Sequence, residues 1–154
     1  MALGATTYKT PNIINLIASD MTGKEGCGVY LQGPNLVKIA DVAAAPPYAV
    51  IVTGTDSLTP GTYPSAIGDA SLEMVDQLGC VVQVLIGTNG SVSAGEFLLI
   101  DSVDADGTFA SVTNQTPVSG DWLWGLALTD AASSEQCLMR FQPQNVQYIA
   151  PPPP

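Results

Sequence analysis

The chain has 154 residues, 46% of them hydrophobic, with 14 acidic side chains against four basic ones and no histidine, for a net charge of −10. That length and composition fit one folded domain able to build its own core without cross-links. The charge repels phosphate backbones and argues against direct nucleic-acid binding, and the lack of histidine removes the Ser-His-Asp and Cys-His routes of nucleophilic hydrolysis.

Residues 1–25 read as an N-terminal arm. MALGATTYKTPNIINLIASD lacks the charged n-region and continuous apolar stretch of a secretory signal, so the chain is expected to be made in the cytoplasm and used unprocessed. Thr10-Pro11 resembles an N-cap followed by a first helical position, whereas Ile13, Ile14 and Ile17 favour extended backbone. The cluster Ile13, Ile14, Leu16 and Ile17 precedes the first clear strand signal. It is either an arm that docks on a neighbour by strand addition or the first core element of its own subunit.

Residues 26–142 read as a β domain. CGVYL, LVKIA and YAVIVT are short strand candidates. The apolar region 42–52 is interrupted by Pro46-Pro47 and falls short of the ~18 residues that a membrane span requires, so no membrane association is expected. DASLEMVDQLG predicts one short helix, with Asp69 as N-cap, Leu72, Val75 and Leu78 at helical spacing, and Gly79 as the left-handed residue at its end. CVVQVLI then alternates, with Cys80, Val82, Val84 and Ile86 on one face and Gln83 on the other, and Asn89-Gly90 supplies a tight turn.

GEFLLID predicts a buried strand, Asp106-Gly107 a second turn, and TFASV another strand. GDWLWGLAL holds both tryptophans. As a plain strand it puts Trp122, Trp124, Leu126 and Leu128 on one face and leaves Gly125 and Ala127 as a thin reverse face. That is the pattern of a core stripe more than of a ligand platform, with the thin face open to a neighbouring backbone or subunit. EQCLMRF points Cys137, Met139 and Phe141 inward and Gln136, Arg140 and Gln142 outward. Residues 143–154 read as a tail ending in exposed polyproline at Pro151–Pro154. The fold expected is all-β: a compact sandwich or barrel of short, mainly antiparallel strands with at most one short helix.

LTPGTY, VSAGEF and PVSGDW echo one another as turns that enter a strand through Gly61, Gly95 and Gly120, too unevenly spaced for a solenoid. Chemistry is harder to find. Asp104 with Asp106, or Glu73 with Asp76, are carboxylate pairs whose ordinary reading is a solvated turn. Asp104-Ala105-Asp106-Gly107 resembles the middle of a calcium loop, but Ser102 and Thr113 stand where that loop needs Asp and Glu. A looser site from Asp101, Asp104 and Asp106 competes with a simple hairpin turn. Cys27, Cys80 and Cys137 are too far apart for a zinc signature and read as buried thiols of a reducing compartment. No catalytic, cofactor or metal residues are assigned, and the protein is expected not to be an enzyme.

The C-terminal half, particularly SVSAGEFLLID, a glycine turn, and then GDWLWGLALTDAASSEQCLMRF, resembles the small β-rich head decoration, or cement, proteins of tailed bacteriophages. Those end in a strand carrying G-x-A, a short polar loop and a final strand, here Gly125 to Leu128, Thr129 to Glu135 and Cys137 to Phe141. The resemblance spans about residues 80–142. It implies an enzymatically inert β domain on the outside of an icosahedral virion shell, bridging major capsid protein subunits and stabilising them, and associating as a homotrimer. Ile13, Ile14, Leu16 and Ile17 then become candidate capsid or subunit contacts. A tail, fibre or surface adhesin module that binds glycans is the alternative.

Overall fold

A computed structural model describes residues 16–17, 23–32, 36–51, 74–75 and 77–147. Among them the protein is all-β, with ten strands and no helix. One sheet takes β1 (Leu16–Ile17), β2 (Gly28–Leu31), β3 (Leu36–Ile39), β4 (Ala49–Ile51) and β5 (Met74–Val75) in the order β1-β3-β2-β4-β5. The other takes β6 (Val81–Leu85), β7 (Phe97–Ile100), β8 (Phe109–Ser111), β9 (Trp122–Ala127) and β10 (Gln136–Asn145) in the order β6-β10-β9-β7-β8. Named strands pair antiparallel throughout, apart from the parallel β1–β3 contact. A parallel bridge from Ile86 to Phe109 joins the two ends of the second sheet and curls it toward a barrel.

The alternation read from β6 and β10 is what the structure shows. Val82, Val84, Cys137, Met139 and Phe141 are buried, while Val81, Gln83, Gln136, Leu138 and Arg140 face out. Phe97–Ile100 buries both faces at Leu98, Leu99 and Ile100, as its continuous apolar run requires. The first sheet lays Val50, Ala40 and Ala45 onto this core. Gly28 lets β2 come close: a Cβ there would stand 2.7 Å from the Trp124 ring and 2.9 Å from Ile100. The opposite face of the first sheet carries a second buried cluster of Cys27, Val29, Val37, Ile39, Ala49 and Ile51.

Two expectations are corrected. The helix predicted over Asp69–Gly79 is replaced at Met74–Val75 by a strand paired with Val50 and Ile51, so an open sheet edge prevails over helical spacing. Gly79 is left-handed at φ 82°, as expected, but its N–H donates to the Phe141 carbonyl across the sheet rather than closing a helix. Residues 69–73 and 76 lie outside the described residues.

The second correction concerns β9. Leu98 pairs with Gly125 but Leu99 pairs with Leu123, which leaves Trp124 as an extra residue in a bulge. The bulge turns Trp124 and Ala127 toward the same core, while Leu126 pairs with Arg140 on the outer face. The thin face is not open to another subunit. A Cβ on Gly125 would overlap the Arg140 carbonyl oxygen and lie 2.7 Å from Met139 Cγ, so the chain's own β10 fills the space. Across β10 the pairing skips again between Phe141 and Gln144, and Pro143, which has no N–H to give a ladder, falls within that irregularity. β10 thereby runs to Asn145, past residue 142 where the domain was expected to close.

Candidate interaction surface

The tryptophans form no exposed platform. Trp124 is fully buried, edge-on to Phe109 at 5.4 Å and to Phe141 at 6.3 Å between ring centroids. Trp122 is half-buried against the same core.

Three of the turns share one design. In Ser93–Glu96, Val118–Asp121 and Ala132–Glu135 the first carbonyl accepts the N–H of the fourth residue at 3.0–3.1 Å. The carboxylate of that fourth residue accepts the first N–H, at 2.8, 2.9 and 3.2 Å respectively. The third residue takes positive φ: Gly95, Gly120 and Ser134 at 93°, 98° and 64°. Each turn feeds β7, β9 or β10 directly. The echo between VSAGEF and PVSGDW is therefore a strand-entry turn whose acid ties the loop shut, and SSEQ is a third copy that sequence reading missed because serine replaces glycine. LTPGTY lies outside the described residues. The Ser93 N–H and then the Thr113 hydroxyl hold the Glu96 carboxyl below its ordinary pKa.

The acidic loop is likewise occupied by its own backbone. Asp101, fully buried, accepts the N–H of Val103 at 2.8 Å and of Asn89 at 3.2 Å. Asp104 accepts the Thr88 N–H at 2.7 Å, and Asp106 accepts the Thr108 hydroxyl at 2.8 Å and the Lys24 ammonium at 3.4 Å. Burial raises the Asp106 pKa, but the Thr108 bonds and Lys24 together outweigh it and leave the net value lowered. Among the described residues no group of three Cys, Asp or Glu is arranged around a metal position. The pair Glu73 and Asp76 lies outside the described residues. Cys27 is a buried thiol whose pKa burial pushes up to about 12, and Cys137 is buried too, whereas Cys80 is half-buried.

Of the candidate contact residues, Leu16 and Ile17 form β1 and pair in parallel with Leu36 and Val37 at the edge of the chain's own first sheet. Ile13 and Ile14 lie outside the described residues.

The outer face of β6, β10 and β9 has a different character. It presents Val81 and Gln83 from β6, Gln136, Leu138, Arg140 and Gln144 from β10, and the half-buried Leu123 and Leu126 from β9. No carboxylate stands on these strand positions, in a chain with 14 acids. Val81 and Leu138 are 53% and 41% exposed. Lys24 and Lys38 have acidic partners in Asp106 and Asp41, but Arg140 meets no carboxylate among the described residues. Gln83 and Gln136 hydrogen-bond to each other across the strands and, with Glu25 and Gly26, line a small pocket at the Leu85 end of this face.

No family model matches the chain, and no curated protein matches it. Its fold is similar to the crystal structure of the head fiber gp8.5 N base in bacteriophage phi29, with a TM-score of 0.56 and 17% sequence identity. The match covers 87% of this chain and 95% of that one. At that identity the likeness is one of fold.

Proposed function

We propose that the protein is a structural component of a bacteriophage virion, seated on the outside of the icosahedral head, where it bridges major capsid protein subunits and stabilises the shell. The observation that carries this reading is the fold shared with a phage head fiber base over nearly the whole of both chains. The C-terminal pattern from Ser91 to Phe141, which resembles head decoration proteins, points to the same location independently. A binding role without catalysis or cofactor fits a domain whose described carboxylates mostly tie down turns. Its net charge of −10 suits an external protein contact better than packaged nucleic acid.

Bridging gains most from several copies acting together. In a homotrimer, once one contact is seated the next becomes effectively intramolecular, which strengthens binding by roughly 10²-fold or more. A clamp that binds the closed subunit joint and not the open one stabilises the closed state by mass action. The glycan-adhesin alternative loses its aromatic platform, because Trp124 is core.

The test uses heads produced without this protein. Purified protein added back is expected to co-sediment with them and to raise the temperature at which they release DNA, and its mass by light scattering is expected to be that of a trimer. Absence of binding overturns the head assignment, binding without a stability gain overturns the clamp, and a monomer at every concentration overturns the free trimer.

A further inference from the structure

Resting on the head assignment, we infer that the Val81–Gln83 part of the outer β6 edge, open among the described residues, takes an extended, carboxylate-bearing segment of a shell protein as an added strand, with Arg140 as its anion contact. The main-chain pattern comes first. Phe141 donates to the Cys80 carbonyl and Ile86 to the Glu135 carbonyl, so the even-numbered residues of this stretch direct their peptide groups at β10. By the alternation of an antiparallel ladder, Val81, Gln83 and Leu85 direct theirs away from it. Leu85 confirms the geometry, since its N–H donates outward to the Gly26 carbonyl at 3.0 Å. Val81 and Gln83 meet no such main-chain partner among the described residues. A strand added beside them continues the line that Gly26 begins.

Edges left open in soluble proteins are ordinarily guarded by charge, proline or a bulge. VVQVL carries neither charge nor proline, and its ladder to β10 runs without a register shift from Val81 to Leu85. The side chains around the opening say what the added strand must bring. Val81 and Leu138 stand exposed on the adjoining face, with Leu78, 77% exposed, at the entrance to β6. They offer contacts to alternate apolar side chains. Arg140 lies directly across the ladder from Val81 and has no acidic partner among the described residues. A carboxylate on the incoming segment satisfies it through a charge-assisted hydrogen bond. Glu25, in the pocket with Gln83 and Gln136, stands at the opposite, Leu85 end. It repels an acid there, so the segment's acid belongs at the Val81 end.

Two substitutions separate the parts. Val81→Pro removes an outward N–H and leaves the bonds to β10 in place, as proline at a strand edge does. Arg140→Glu reverses the anion contact. The probe is the same heads produced without this protein. Both variants are expected to keep the wild-type circular dichroism and melting transition yet bind at least about tenfold more weakly, the equivalent of losing one or two hydrogen bonds. On the wild-type chain, binding is expected to slow hydrogen exchange at the Val81 and Gln83 amides. If wild type binds and both variants bind equally well, the edge is not the docking site, although the head assignment stands. Weakening by Arg140→Glu alone overturns strand addition. Should Val81→Pro fail to fold, unchanged exchange at those two amides in the bound wild type overturns the inference, and slowed exchange supports it. A wild-type chain that does not bind overturns both readings together.

Discussion

Trp124 packs its indole between Phe109 and Phe141, against the Gly28 backbone, and its Nε1–H has no hydrogen-bond partner among the described residues. A buried donor left unpaired costs about 1–3 kcal/mol, so the residue contributes through its ring and not through its polar atom. Trp124→Ala is expected to destabilise by about 3–5 kcal/mol through the cavity it leaves. Trp124→Phe should cost markedly less, because it removes the unpaired N–H together with part of the ring. Denaturant titration of the two variants checks this, and equal losses would show that the buried ring is not what Trp124 contributes. That Trp124 is core was legible in GDWLWGLAL. That Ala127 shares its side was not, because the bulge that swaps the faces arises from pairing with β7 and β10, and a lone strand carries no sign of its neighbours' register.

At the level of elements, the strand-entry turns decide where β7, β9 and β10 begin. Glu96 has its carboxyl held below the usual glutamate value by the Ser93 N–H and Thr113 hydroxyl, so its contribution is complete above the ordinary value of 4.5. It is lost as pH falls through the lowered folded-state value, where protonation removes the charge-assisted bonds. The stability difference between wild type and Glu96→Gln is therefore expected to shrink on acidification, and a gap that widens would contradict the assignment. Asp121, buried in the equivalent turn, lacks solvent to replace its bond to Val118. Asp121→Ala is expected to cost about 1–2 kcal/mol, the scale of a lost cap. The alternating strands β6 and β10 were readable because one face is buried and the other wet. The short strand Met74–Val75 was not: two residues carry no periodicity, and only the presence of β4 beside them selects extended backbone over helix.

Over the whole molecule, acids so outnumber bases that copies repel each other at neutral pH, and the sequence isoelectric point is about 4.1. Solubility and colloidal stability are expected to be lowest near that pH and to recover above it, as turbidity would record. Aggregation strongest at neutral pH would show that apolar surface rather than charge governs association. The composition made the charge legible at once. The location of its exception, the carboxylate-free face around Arg140, was not legible, since it requires strands 55 residues apart, such as Gln83 and Leu138, to lie side by side.

The way β2 is held also sets a timetable for synthesis. Its approach to the second sheet depends on Gly107, whose carbonyl receives the Gly28 N–H, on Leu85, bonded to Gly26, and on the Trp124 ring above Gly28. The last of these leaves the ribosome 73 residues after β4 ends at Ile51. At about 5–20 residues per second that leaves β2, β3 and β4 without their packing surface for roughly 4–15 seconds. During that interval three apolar strands are available to any other nascent copy on the same message. The protein should consequently give its best yield where translation is fast relative to encounters between chains, or where a chaperone holds the N-terminal half until β9 has emerged.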